Sequence, residues 1–257
     1  MIPEALRQVL LSARRAAVAF SGGVDSAVLL ACAVQVLGPE KVVALHAVGE
    51  IFAPEERKLA RETARSLGVR FEEIPVDFLS LSAFRENPPD RCYYCKRHLL
   101  GLFLERARQL GVEALWEGTQ KSDLSSFRPG LKALSELGVR SPLAEAGLTK
   151  EEVRSLARAL GLPQAERPSS PCLATRFPPG EPVTSEALFL VYRAEKTLRD
   201  LLGEEILRVR YLRGEARLEV PPEVLPRVFS ERSQVVEVLR ALGFRRVSLD
   251  LEGYRSS

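Results

Sequence analysis

Apolar and polar residues alternate with two different periods along this chain, and the switches between them outline its elements. Residues 2–14 carry apolar positions at helical spacing and predict an amphipathic helix. The apolar run at 15–20 reads as a buried strand; it breaks at Gly22 and Gly23 and resumes as a long apolar helix over 24–37. Residues 41–47 predict a second buried strand. A helix follows over 54–67, with Pro54 near its first turn and Gly68 as its stop. Residues 69–74 predict a third strand. A polar, proline-rich loop at 85–91 leads into a helix over 92–110, stopped at Gly111, and 112–117 reads as a fourth strand. A further helix over 147–160 opens on Thr149 and Glu152, which have the spacing of a capping box. Strands alternating with helices predict a parallel α/β sheet with right-handed crossovers. Sheets of this kind bind ligands at the carboxyl ends of their strands.

The texture changes between Pro163 and Pro182, where prolines cluster and periodicity fades. Structureless stretches of this length are uncommon inside a domain, so this one marks a domain junction or a functional loop. Beyond it, 184–202 predicts a helix, 205–211 and 215–220 two strands around a turn at Gly214, 230–242 a helix and 246–251 a last strand. The expected organisation is therefore an α/β domain over residues 1–168 and a smaller α+β domain over 169–257.

Composition narrows the function classes. The 37 basic and 34 acidic residues give a net charge of +3, with both signs well mixed. This is not the charge of a dedicated nucleic-acid binder, and no nucleic-acid partner is expected. No apolar run approaches the roughly 20 residues that span a bilayer. The N-terminus has an early acid and no cleavable apolar core, so it does not read as a signal peptide. The expectation is a cytoplasmic protein with no membrane partner. Four cysteines in a reducing compartment suggest metal or redox chemistry before structural disulfides.

Two constellations carry chemistry. The first is Ser21-Gly-Gly-Val-Asp-Ser26, set between the first strand and its helix. Glycines let the backbone approach a ligand closely, free N–H groups at the helix start make an anion site, and Ser21 and Ser26 add hydroxyl donors. The loop lacks the Gly-Lys-Ser/Thr ending of a P-loop NTPase and the spacing of a dinucleotide fingerprint. Gly118-Thr119 and the segment at 47–50 also fall at strand ends. The second constellation is Cys92-Tyr-Tyr-Cys95, together with Cys172 in Pro171-Cys-Leu-Ala-Thr-Arg176. Two thiolates three residues apart plus a distant third suit a metal or three irons of a cubane cluster. A redox dithiol and plain packing stay open as alternatives. No second CxxC offers a four-cysteine zinc knuckle. Cys32, within an apolar helix, reads as core.

The first loop resembles the SGGxDS loop of the PP-loop ATP pyrophosphatases, an adenine nucleotide alpha hydrolase-like, Rossmann-like fold. The whole set of motifs resembles the LarE group of ATP-dependent sulfur transferases within that superfamily. Its marks are Ser21–Ser26, Cys92–Lys96, Glu117–Thr119, Asp123, Phe127–Gly130, Arg140–Lys150, Pro171–Phe177, Arg208–Arg210 and Arg217–Glu219. The resemblance implies adenylation of a carboxylate on a pyridinium mononucleotide, then attack by sulfur to give the thiocarboxylate of a nickel-pincer nucleotide. It implies ATP contacts from Phe20, Ser21, Gly22, Gly23, Asp25, Ser26, Ala47, Gly118, Thr119 and Asp123, with Mg²⁺ on the pyrophosphate half. It gives substrate to Lys96, Arg176, Glu195, Arg208, Arg210, Arg217 and Glu219. In one branch of the group the cysteine at the position of Cys172 gives up its own sulfur. Members with all three cysteines are associated with a [4Fe-4S] cluster whose open iron carries sulfide, so Cys92, Cys95 and Cys172 are the expected ligands here. A sulfide source is then a partner, and the group's habit implies a homo-oligomer, hexameric or dimer-based. A tRNA thiolase, an ammonia-dependent amide synthetase and a nucleotide sensor are the competing readings.

Overall fold

The computed structural model describes residues 1–125 and 129–254, and the chain forms two compact units. Unit 1 comprises Met1–Val76 and Asp90–Ser170; unit 2 comprises Asp77–Pro89 and Pro171–Ser257. The segment Asp77–Pro89, which sequence pattern alone leaves in the first domain, packs with the second unit.

Unit 1 begins with α1 (Glu4–Leu10), β1 (Ala16–Ala19), α2 (Val24–Leu37), β2 (Val42–Val48), α3 (Pro54–Ser66) and β3 (Arg70–Pro75). The chain then enters unit 2, where α4 (Ser82–Arg85) is a single turn, and returns for α5 (Arg91–Gln109) and β4 (Ala114–Trp116). Unit 1 closes with α6 (Pro129–Leu137), α7 (Pro142–Glu145) and α8 (Lys150–Ala159). All strand pairs are parallel, and the order is β3-β2-β1-β4. Successive strands step outward from β1 through β2 to β3, and β4 then adds on the other side of β1. The order reverses at β1/β4, which is where an open α/β sheet leaves a ligand crevice at its carboxyl edge. Over residues 27–33 helix α2 is apolar on every side because it is buried on every side: Leu29, Leu30, Ala31, Cys32 and Ala33 lie among the core side chains of β1, α1 and α8. Helix α8 carries the predicted capping box, with Thr149 and Glu152 exchanging both hydrogen bonds.

Unit 2 contains α9 (Ser185–Leu202), β5 (Arg208–Leu212), β6 (Glu215–Glu219), α10 (Leu225–Ser230), α11 (Arg232–Leu242) and β7 (Arg246–Leu249). Its sheet runs β5-β6-β7, antiparallel at the first pair and parallel at the second. Period-two alternation puts Val209, Ala216 and Leu218 into a core shared with Ala194, Leu198, Leu202 and Leu239. Arg208, Arg210, Arg217 and Glu219 alternate with these core positions along β5 and β6. The junction stretch holds only the short 3₁₀ turn Leu173–Arg176 among its regular elements. Among the described residues no helix is long and apolar enough to cross a membrane.

Candidate active site

The nucleotide loop of unit 1 is shaped by two close approaches. Gly22 has φ +88°, and a Cβ there would lie 3.3 Å from the Ala60 Cβ and 3.4 Å from the Glu56 carbonyl oxygen, so only glycine fits without strain. A Cβ on Gly118, just past β4, would lie 2.8 Å from the Ser26 amide nitrogen. The end of β4 therefore rests directly on the first turn of α2. Gly118, expected beside the nucleotide, is required here by backbone packing. Gly23 caps α2 in extended conformation. Ser26 Oγ donates to the Gly23 carbonyl at 3.0 Å and lies 3.1 Å from Ser21 Oγ, which accepts from the Gly23 amide at 3.3 Å. These bonds hold the loop open around the helix N-terminus, where amide donors and the helix dipole favour an anion.

Beneath the loop, Phe20 is buried, and the His46 Nδ1 lies 2.8 Å from its carbonyl oxygen. Burial pushes the His46 imidazole below its usual range, against the opposing pull of that hydrogen bond. A neutral ring that donates from Nδ1 braces the strand end and is no proton donor to a ligand. Ala47 lies inside β2, paired with Ile74, because that strand runs to Val48 rather than ending before it.

Two lysines meet the site in different ways. The Lys150 Nζ is 2.6 and 2.8 Å from the two Asp25 carboxylate oxygens. The Lys96 Nζ is 3.2 Å from Glu117 Oε2. Glu117 is a buried hub: it also accepts from the Thr119 amide and hydroxyl, each at 2.9 Å, and from Ser141 Oγ at 2.5 Å. Sequence reasoning gave Lys96 to substrate and assigned no role to Lys150 or Glu117. Lys150 was visible as part of the 140–150 motif, and Glu117 as part of the Glu-Gly-Thr motif. Asp123 closes a local turn, accepting from the Gln120 amide at 3.3 Å. Of the quoted 127–130 motif, Phe127 and Arg128 lie outside the described residues.

Cys92 and Cys95 sit in the first two turns of α5, on positions three apart that share a helix side. Cys92 is exposed and Cys95 half-buried. Tyr93 between them is tied to α6 by its hydroxyl, which donates to Glu136 Oε2 at 2.7 Å. Cys32 is buried, and burial pushes its thiol up to about 12, which leaves it unreactive.

In unit 2, Cys172 precedes the Leu173–Arg176 turn and is half-buried. Its carbonyl accepts from the Thr175 amide at 3.0 Å, Thr175 Oγ1 at 2.8 Å and Arg176 Nη1 at 3.2 Å. The Thr175 carbonyl accepts from Arg210 Nη1 at 2.9 Å. The turn that carries Cys172 is thereby fastened to the arginine positions of β5. Arg176 and Glu195, both given to substrate by sequence reasoning, are 2% exposed and face each other in a bidentate pair at 2.8 and 3.0 Å. Glu195 also takes Arg199 Nη2 at 2.9 Å and the Val209 amide at 3.1 Å. The pair is internal: it ties the Cys172 turn to α9 and β5. On the strand surface, Arg210 and Arg217 stand directly opposite each other. Glu219 sits between them, 2.7 Å from Arg210 Nη2 and 3.3 Å from Arg217 Nη2. Arg208 is buried, stacked over Tyr254 at 5.2 Å, and burial with the nearby Arg176 lowers it from its ordinary value. Asp250 Oδ2 also lies 3.5 Å from Arg217 Nε, so three guanidiniums against two carboxylates leave these positions with one positive charge in excess, suited to phosphate or carboxylate groups.

Among the described residues, no three His, Cys, Asp or Glu side chains are gathered as a group that could hold a metal ion. The thiol pair on α5 and the Cys172 turn each offer donors of the right chemistry for iron, two in unit 1 and one in unit 2.

A parallel sheet that reverses order at β1/β4, with an SGGxDS loop at that reversal, defines an ATP-using enzyme of the PP-loop class. The family described as NAD synthase matches residues 4–91. The chain is 40% identical over 243 residues to the pyridinium-3,5-bisthiocarboxylic acid mononucleotide synthase of Lactiplantibacillus plantarum, covering 95% of this chain and 88% of that protein. It belongs to that synthase family, the LarE group. An uncharacterized protein of Synechocystis sp. is 40% identical over 255 residues, covering 98% of this chain and 94% of the other. The NH(3)-dependent NAD(+) synthetase of Pyrobaculum aerophilum is 31% identical over 169 residues, covering 62% of this chain and 61% of that protein.

Proposed function

We propose that this enzyme activates a carboxylate of pyridinium-3,5-biscarboxylic acid mononucleotide with ATP and replaces its oxygen by sulfur. The observation that carries this reading is the Cys172–Thr175–Arg176–Arg210 unit, in which a thiol-bearing turn is bonded to a cationic strand. A sensor needs no such thiol, and an ammonia-using synthetase would leave Cys172 and the CxxC without a role.

The steps follow from the residues. Loop amides of Gly22–Ser26 and the hydroxyls of Ser21 and Ser26 hold the β- and γ-phosphates, with Mg²⁺ neutralising them. Phe20, Ala47, Gly118, Thr119 and Asp123 line or shape the nucleotide site. Arg208, Arg210 and Arg217 take the phosphate and the second carboxylate of the substrate, with Glu219 orienting Arg210 and Arg217, and Lys96, held by Glu117, offers the substrate a further cation. Arg176 and Glu195 hold the Cys172 turn in place. A substrate carboxylate oxygen attacks the α-phosphorus, the bond to the β-phosphate bridge breaks, and pyrophosphate leaves. Sulfur then attacks the acyl carbon, and the C–O bond to AMP breaks.

For the sulfur, Cys92, Cys95 and Cys172 would together hold a [4Fe-4S] cluster, which supplies sulfide from its open iron when bound. The alternative donor is Cys172 itself: its Cβ–Sγ bond breaks after transfer, a proton leaves Cα, and dehydroalanine remains. The protein is further proposed to be cytoplasmic and homo-oligomeric, hexameric or dimer-based, and to need a sulfide source but no nucleic acid or membrane.

Iron and acid-labile sulfide per chain, measured after anaerobic purification and in Cys172→Ala, test the donor. About four irons, lost in the variant, support the cluster. A protein that stays iron-free after reconstitution overturns it and predicts dehydroalanine at 172 after one turnover. Tight tRNA binding would instead favour a thiolase.

A further inference from the structure

We infer that Tyr254 is a positioning residue for the substrate: its ring seats the Arg208 guanidinium and aims the N–H edge at an anionic group of the pyridinium mononucleotide. The inference rests on the reading that Arg208 takes substrate, and adds the aromatic residue that holds it.

The backbone after β7 is built to deliver this ring. The Asp250 amide donates to the Leu218 carbonyl at 2.9 Å, and the Tyr254 amide donates to the Val220 carbonyl at 2.7 Å. Between them Gly253 has φ +74°. A Cβ there would lie 2.8 Å from the Val220 carbonyl oxygen and 3.3 Å from Pro222 Cδ, so only glycine makes this turn without strain. Leu218 and Val220 flank Glu219, which is the partner of Arg208 in the β5–β6 register. Two backbone bonds, one on each side of Glu219, thus fix the chain where the Tyr254 ring meets Arg208. The Arg208 Cζ lies 5.2 Å from the ring centroid.

The chemistry of Arg208 suits an aromatic holder. Its side chain is buried, and its Nη1 donates to the Leu207 carbonyl at 2.7 Å. Burial and the nearby Arg176 disfavour its charge, with Glu195 pulling the other way. Glu195 is already shared between Arg176 and Arg199. A ring face attracts a cation through its quadrupole, most strongly where water is excluded. It acts on the face of the guanidinium plane. The donors that grip phosphate or carboxylate in forked pairs lie in that plane, at its edge. Stacking therefore orients Arg208 without using a donor and without cancelling its charge, as a carboxylate at position 254 would. Arg210 and Arg217 are held differently, by Glu219.

Pyrophosphate release by the full-length protein, at saturating ATP and Mg²⁺ with varied pyridinium-3,5-biscarboxylic acid mononucleotide, is the assay. Tyr254→Phe keeps the ring face and should hold the KM for the mononucleotide within about twofold of wild type. Tyr254→Leu should raise that KM roughly 5- to 30-fold, equivalent to about 1–2 kcal/mol for a desolvated cation–π contact. The kcat and the KM for ATP should stay within about twofold, as expected for an interaction that acts in substrate binding. Phenylalanines carrying one, two and three ring fluorines at position 254 keep the shape and weaken the negative ring face, so log KM should climb with each fluorine. Packing alone gives a flat series, which overturns the inference, and this series decides the matter if thermal melts show that Tyr254→Leu does not fold. Arg208→Gln should raise KM at least as far as Tyr254→Leu, and adding Tyr254→Leu to it should change KM by less than about twofold more. Full additivity of the two changes overturns the inference. A KM raised by Arg208→Gln but unmoved by Tyr254→Leu overturns the inference and leaves Arg208 with the substrate. A KM unmoved by Arg208→Gln sinks both.

Discussion

Replacing Glu195 by glutamine probes what holds the Cys172 turn. In the wild type both carboxylate oxygens face the Arg176 guanidinium, Nε to Oε1 at 2.8 Å and Nη2 to Oε2 at 3.0 Å. Arg199 and the Val209 amide add two further donors to the same group. Glutamine keeps one acceptor and turns the other into an NH₂ that meets donors. Arg176, 2% exposed, is left with a buried charge half answered. Breaking a buried pair from one side costs about 3–5 kcal/mol, and the retained acceptor points to the lower end, about 3 kcal/mol. The bonds lost all lie in unit 2, so the loss should be local. Hydrogen exchange read by mass spectrometry is the assay. Peptides over 171–177 and 205–212 should exchange roughly 100-fold faster, while the 16–37 peptides of unit 1 keep their wild-type rates. A thermal melt should show the unit-2 transition lowered by roughly 12–24 °C, at about 4–8 °C per kcal/mol for a domain of that size. Exchange within about threefold of wild type over 171–177, with an unmoved melt, would refute the claim that this pair fastens the turn.

Further outcomes follow from single contacts. Gly118→Ala places a Cβ 2.8 Å from a backbone nitrogen of α2, so the helix start must shift. ATP affinity should fall at least about tenfold, with about 1–3 kcal/mol of stability lost in urea titrations. Acid should weaken unit 1 in two windows. His46, buried and lowered from 6.5, stays neutral in the fold while the unfolded chain takes a proton, so stability falls as pH drops below 6.5. His46→Asn should flatten that slope in urea midpoints measured from pH 7.5 down to about pH 5. Glu73 is held near about 2 against an ordinary 4.5, chiefly by its hydrogen bond from Arg57 and with help from Arg61. Its contribution is present above pH 4.5 and lost on the way down to about 2; the partners are half-exposed, so it amounts to about 1 kcal/mol at most. Glu73→Gln should remove that lower window.

Local patterns carried most of the fold. The strand–loop–helix at 15–37, the capping box at Thr149 and Glu152, and the alternation along β5 and β6 all lie within a few residues of sequence, and each appears where the pattern puts it. What stayed hidden depends on partners far along the chain. The helix Leu225–Ser230 starts on a leucine followed by Pro226 and is too short to show a period. The excursion of Asp77–Pro89 into unit 2 is fastened by Asn87, buried at φ +55°, whose side-chain amide donates to the Pro178 and Glu181 carbonyls at 2.7 and 3.0 Å. No window of sequence contains both ends of that bond. The same holds within the candidate site. The motifs pointed to Lys96, Arg176 and Glu195 as charged groups of interest, but whether a charge meets ligand or protein depends on its neighbour. Glu117 lies 21 residues from Lys96, Glu195 lies 19 from Arg176, and Lys150 lies 125 from Asp25.

The most direct test of the central claim is a mass spectrum of the nucleotide after anaerobic incubation of this enzyme with pyridinium-3,5-biscarboxylic acid mononucleotide, ATP and Mg²⁺. The account predicts a product in which one oxygen is exchanged for sulfur, formed together with AMP and pyrophosphate and absent with Cys172→Ala. ATP cleavage that returns the nucleotide unchanged, or sulfur transfer undiminished in Cys172→Ala, would contradict it.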